Sequence, residues 1–180
     1  MIASCALALA LVLVLAAPVS PIPGIPFPPG GEIDPVFTQV FTDRAAAETR
    51  SAIARLDADT SRSAAEKAKL KKRLGKLRIV VFTTAKSVDE AVAAYEKQLP
   101  EAQFIFAERN LQADLLNGMK SGEIQANAAA VAKAAGRRGR SARWNRADGA
   151  LEIDIEDRLI DPRSGAILEK TVVLVTSLGD

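Results

Sequence analysis

Histidine is absent from all 180 residues, and the single cysteine, Cys5, precedes the first charged residue, Glu32. The chain from Glu32 onward therefore has neither imidazole nor thiol. That excludes zinc sites built on Cys and His, serine–histidine triads, cysteine nucleophiles, haem ligation and disulfide scaffolds. The sequence also has no Gly-x-Ser-x-Gly elbow, no Ser-x-x-Lys, no phosphate loop and no dinucleotide glycine pattern. Thr83 stands three residues before Lys86, but it reads as a strand residue rather than a nucleophile. With 24 basic and 22 acidic residues the net charge is only +2, which steers the chain toward no ligand class.

The uncharged stretch divides in two. Residues 1–17 are apolar apart from Ser4 and centre on a run of Ala, Leu and Val. Such a run matches the apolar region of a signal peptide; Pro18 ends it short of the roughly 20 residues a membrane span needs. A signal peptide or membrane anchor is expected, and with it an exported chain: periplasmic, extracellular or membrane-anchored. Ile2-Ala3-Ser4-Cys5 resembles the box at which bacterial lipoproteins are cut and acylated, although here the apolar run follows the cysteine instead of preceding it. Residues 18–31 hold six prolines in fourteen positions, which favours an extended, semi-rigid spacer.

Residues 32–77 form a helical segment and residues 78–180 an α+β domain. Asp34 followed by Pro35 is a helix start, and the Asp57–Ser61 region breaks the helical stretch before a second helix at 62–74, closed by Gly75. Ile79–Thr84 is a β-branched run typical of a buried strand. Ser87 and Glu90 have capping-box spacing, and Val88, Ala91, Val92, Tyr95 and Leu99 lie at helical spacing until Pro100. Residues 103–107 read as the next strand, completing a β-α-β unit. This strand ending in Thr83-Thr84, leading to a helix with an inward Tyr95, resembles a pattern in uncharacterised bacterial envelope proteins. Leu111, Leu115, Leu116 and Met119 suggest a short helix, with a weak alanine-rich helix after Ser121 and few large apolar groups to offset their ordering.

The C-terminal part reads as a three-stranded antiparallel meander, with strands at 141–147, 150–159 and 167–176. Its turns are Asp148-Gly149 and Asp161–Gly165. The expected fold class is thus α+β: two N-terminal helices, the β-α-β unit and the meander, making one sheet of about five strands with helices on one face. Ile79, Val81, Tyr95, Phe104, Trp144, Ile153 and Val173 are the expected core.

Three clusters bear charge. Arg137, Arg138, Arg140, Arg143 and Arg146, with Trp144 among them, form the candidate site for an anionic ligand, because a basic stretch with an aromatic suits a polyanion. A two-residue turn at Asp148-Gly149, however, sets Arg143 opposite Asp154 and Trp144 opposite Ile153, which makes the basic and acidic rows each other's partners. That acidic row, Glu152, Asp154 and Glu156, has a spacing that suits a carboxylate pair or a hard cation, and equally the wet side of an amphipathic strand. Seven bases between Lys67 and Arg78 are spread around a helix and favour its solvated end.

No catalytic residue, metal ligand or cofactor is assigned. The favoured reading is a non-catalytic structural or binding module of the cell envelope, meeting the membrane through residues 1–17 and an envelope protein or polymer through its surface. Binding of an anionic polymer through residues 137–146 comes second, with nucleic acid disfavoured, and a hydrolase using Glu152 and Asp154 third. The structural reading is expected to show no concave polar pocket, whereas a catalytic acidic row is expected to place Glu152 in a cleft with a raised pKa.

Overall fold

The computed structural model describes residues 20–178; residues 1–17, read as a leader, lie outside the described residues. The chain is α+β. Its helices are α1 (Pro35–Ala58), α2 (Ala64–Leu74), α3 (Val88–Gln98), α4 (Leu111–Ser121) and α5 (Ala128–Ala134). Its strands are β1 (Glu32–Ile33), β2 (Leu77–Thr84), β3 (Ile105–Asn110), β4 (Arg138–Asn145), β5 (Leu151–Asp157) and β6 (Thr171–Leu178). All six join one antiparallel sheet in the order β1-β2-β6-β5-β4-β3. No helix among the described residues is long and apolar enough to cross a membrane.

Local chemistry sets the element ends. Asp34 caps α1 by accepting from the Phe37 N–H at 2.9 Å, with Pro35 at the first helical position. The Ser87–Glu90 capping box opens α3, and a second one, Ser63–Glu66, opens α2. The β4–β5 hairpin has the expected register, Arg143 opposite Asp154 and Trp144 opposite Ile153. Gly149 supplies the positive φ of 65° that its turn requires.

Several arrangements differ from the sequence expectation. The sheet has six strands rather than about five, because Glu32–Ile33 adds to β2 opposite Phe82 and Thr83. The strands flanking α3 are not neighbours: β2 and β3 run the same way, but β6, β5 and β4 lie between them. α3 therefore crosses the sheet, which explains why it packs against β4 and β5. Helices also cover both faces rather than one.

The first face is closed. Val80, Phe82, Ala142, Trp144, Ile153, Ile155, Val173 and Val175 pack against Val88, Ala91, Val92 and Tyr95 of α3. The proline-rich segment, expected to be a spacer, completes this core. Ile22 and Ile25 are buried in it, the Phe27 ring meets Phe82 edge-on at 4.8 Å, and Pro28 is fully buried. Two side chains satisfy its backbone: Tyr95 Oη donates to Pro26 O at 3.2 Å and Thr84 Oγ1 to Pro29 O at 2.7 Å. Proline-rich backbone has few donors of its own, so it packs on apolar surface where its carbonyls find hydroxyls. Burial raises the Tyr95 hydroxyl pKa well above its ordinary value.

On the second face Phe37 of α1 packs with Val81 and Val172, joined by Phe41, Leu159, Leu168 and Leu174. A separate cluster forms where α4 and α5 meet the β5–β6 connection: Leu111, Leu115 and Ala134 with Ile160 and Ile167. The alanine-rich stretch thus has apolar partners supplied from far along the chain. Gly165 closes the turn there at φ +68°, where a Cβ would stand 2.5 Å from that of Ala126. Of the seven expected core residues, six are buried; Ile79 is half-buried on the second side of the sheet, where Val81 two residues on is fully covered beside Phe37.

Candidate functional site

The second face holds a groove of about 1200 Å3 between α1 and the sheet. Side-chain size along α1 explains why it stays open. Phe37 and Phe41 in the first two turns hold the helix against Val81, Val172 and Leu174. The residues that look toward the sheet further along are Ala45, Thr49 and Ala52, too small to reach it, so the helix stands off. Arg44 closes one end, bridging α1 to the residue beyond α4 through Glu123 at 2.7 Å. Leu74 of α2 and Arg55 lie toward the other end of α1.

The floor is built in cross-strand rows. Ile79, Thr176, Glu152 and Asn145 form one row; Val81, Leu174, Asp154 and Arg143 the next; Thr83, Val172, Glu156 and Ser141 a third. Polarity therefore changes across the sheet: β2 and β6 present mainly apolar groups, β5 carboxylates, and β4 and β3 the guanidiniums of Arg143 and Arg109.

Two ion-pair networks occupy the charged half. Arg109, largely buried, has Nη1 at 2.8 Å from Glu156 Oε2 and Nε at 3.1 Å from Asp114 Oδ2, and Nη1 also donates to Asp157 O at 3.2 Å. Arg143 pairs closely with Asp154 and reaches Glu152 Oε1 only at 3.5 Å. The Arg143 pKa is raised chiefly by its hydrogen bond to Asp154. The Glu152 pKa is raised as well, first by burial and then by its hydrogen bond and charge repulsion with Asp154. Burial raises Glu156 too, although Arg109 opposes the shift.

The candidate anionic-ligand residues are not brought together. Arg143 faces the groove, whereas Arg140 and Trp144 lie on the closed face, because alternate strand residues point to opposite sides. Trp144 is buried 6.3 Å from the Phe104 ring. Arg140 sits over Phe106 at 4.7 Å and pairs with Asp89 at 2.9 Å. Arg137 pairs with Glu169 and lines a smaller pocket with Lys133 and Asn127. Arg146 meets Asp148 at 2.9 Å, and Arg138 lies exposed at the start of β4.

The acidic row, by contrast, lines the groove instead of an open wet face. Sequence reasoning missed the groove itself; its one signal was the uneven apolar stripe of the first helix, with aromatics giving way to alanines. The expectation that a structural module lacks a concave polar pocket is not met. Among the described residues no group of three or more Asp, Glu, His or Cys side chains is arranged to hold a metal ion. The groove offers a long apolar strip beside a charged one, suited to holding a molecule that is itself two-sided. Comparison with known proteins finds no family model, no curated protein and no solved structure that matches this chain.

Proposed function

We propose that the chain is a non-catalytic binding module of the cell envelope that holds its ligand in the groove between α1 and the sheet. The observation that supports this is the groove, whose volume of about 1200 Å3 exceeds the roughly 300–1,000 Å3 usual for small-molecule sites. A helix that serves only to cover a sheet carries large apolar side chains along its whole inner stripe; here the apolar ones stop after Phe41, and Arg44, Glu48 and Arg55 line the groove beyond. The envelope placement rests on the uncharged apolar run of residues 1–17.

Titration of the full chain with phenylnaphthylamine, a neutral dye that brightens in apolar surroundings, tests the reading. Saturable fluorescence is expected for the native protein, and its loss in Ala52→Trp, which fills the groove without touching the closed face. Equal uptake by both proteins would exclude the groove as the site.

A second reading, a carboxylate-dependent hydrolase, draws support from Glu152, which lies in a cleft with a raised pKa beside Asp154. Yet Asp154, only 14 % exposed, is committed to its close ion pair with Arg143, which leaves Glu152 without a free second carboxylate to flank a scissile bond. Turnover of any ester or glycoside that Glu152→Gln abolishes would restore it. An anionic polymer is disfavoured because the arginines of residues 137–146 point to opposite faces, and Arg137, Arg140, Arg143 and Arg146 are paired with acids.

A further inference from the structure

Resting on the groove as the binding site, we infer that its ligand is an amphiphile with an apolar chain and a cationic head group, the chain lying along the β2–β6 strip under α1 and the cation against Glu152 and Asp154. The groove's charge balance carries the first step. Six carboxylates line it, from Glu48, Asp114, Glu123, Glu152, Asp154 and Glu156, against four guanidiniums, from Arg44, Arg55, Arg109 and Arg143. The six carboxylates share three of these guanidiniums two by two, while Arg55 bonds the Ser51 carbonyl of its own helix instead, so the networks differ in how tightly each carboxylate is held. Arg109 is shared by Glu156 and Asp114, and Arg44 by Glu48 and Glu123, all at 3.1 Å or less. Arg143 is committed to Asp154, so Glu152 retains only the 3.5 Å contact.

Position carries the second step. Glu152 is the carboxylate on the row of Ile79 and Thr176, at the seam where the apolar strip meets the charged one. A cation there has Glu152 and Asp154 on one side and the Thr176 hydroxyl beside it, while the tail bonded to it falls on Ile79, Leu174, Leu77 and Leu178. An anionic head group at the same seam finds Arg143, the most exposed side chain there, already engaged by Asp154 and Glu152. A neutral chain gains the apolar strip alone. The raised pKa of Glu152, set first by burial and then by Asp154, is consistent with this: a nearby cation offsets both.

The test compares three probes of one chain length on the full protein, each below its micelle-forming concentration: dodecyltrimethylammonium, dodecyl maltoside and dodecyl sulfate, read by displacement of phenylnaphthylamine. The cationic probe is expected to bind about fivefold to tenfold more tightly than the neutral one. That preference, read as the ratio of cationic to neutral affinity within each protein, should grow as pH rises through the raised Glu152 pKa and should vanish in Glu152→Gln. Thr176→Lys, which places a cation of the protein's own on the seam, should abolish the preference as well. Equal affinity for all three probes, or a preference for the sulfate, would overturn the cationic head group while leaving the groove as the site. Failure of every probe to displace the dye, or dye uptake unaffected by Ala52→Trp, would overturn the groove reading with it.

Discussion

The two faces of the sheet are made by alternate residues of the same strands, yet one is sealed and the other is hollow. On β5, Leu151, Ile153 and Ile155 go to the sealed side and Glu152, Asp154 and Glu156 to the hollow one. Strand chemistry does not by itself decide which side stays open, since β6 buries Val172 toward α1 as well as Val173 and Val175 toward α3. The cover decides. α3 sets Val92 and Tyr95 into the sheet and the proline-rich segment fills the remainder, whereas α1 sets two phenylalanines into it and then alanines. A fold spends helix surface on closing the face it needs for stability and leaves space where the covering side chains are too small to meet the floor.

This contrast breaks most visibly in the core. Phe82→Ala removes a fully buried ring from the sealed face and should cost about 3–5 kcal/mol. Leu174→Ala on the groove floor removes a side chain already partly wet and should cost on the order of 1 kcal/mol. Urea unfolding midpoints of the two variants measure the difference directly. Equal losses would mean that the groove face is as well packed as the other, and that its volume is not available to a ligand.

The proline-rich segment provides the next test. As a spacer it would tolerate any change. As part of the sealed face it should lose about 2 kcal/mol on Ile25→Ala, somewhat less than for a deep core position because a surface segment settles into the gap. A variant as stable as the native chain would return residues 20–31 to the role of a tether.

Arg109→Met tests the charged half of the groove. It leaves Glu156 and Asp114 without their shared cation in a partly buried setting, and about 1–2 kcal/mol should be lost near neutral pH. The Glu156 pKa is already raised, so acidification protonates it readily in the variant and the loss should shrink as pH falls. A loss that does not change with pH would assign Arg109 a packing role through its stem.

How far these features were legible follows from how local their causes are. The helix starts at Asp34 and Ser87, the break between α1 and α2, and the hairpin register at Asp148-Gly149 depend on neighbours within a few residues, and all stand in the sequence as simple spacings. Ser63–Glu66 has the same spacing, and its capping box was equally available to be read. The wide crossover of α3 was not, because nothing in residues 78–107 says which strands will separate β2 from β3. The burial of Ile22, Ile25 and Phe27 was hidden by the prolines around them, which signal an extended backbone and nothing about what that backbone covers. At the site, the acidic row was visible as a periodicity of two, but its concave setting depends on the distance between α1 and the sheet. The arginine cluster shows the converse: adjacency in sequence is not adjacency in space on a strand, where Arg143 and Trp144 necessarily part.

The smallest expected effect sharpens the comparison most, because it concerns the sign of a charge. The Glu152 pKa is raised in the folded chain, so the folded state holds that proton more tightly than the unfolded one. The stability it contributes is full below the ordinary glutamate value and is lost as pH rises through the raised one. Glu152→Gln removes this titration while keeping an amide that can donate to Asp154. The variant should therefore show a flatter stability profile across that window and gain a few tenths of a kcal/mol, roughly, near neutral pH, a small effect because the side chain is 38 % exposed. Urea midpoints of both proteins measured across the acidic range read it. A variant less stable at neutral pH would mean that Arg143 holds Glu152 as a favourable ion pair despite the 3.5 Å separation; the seam would then carry no unmet negative charge, and the hollow face would differ from the sealed one in shape alone.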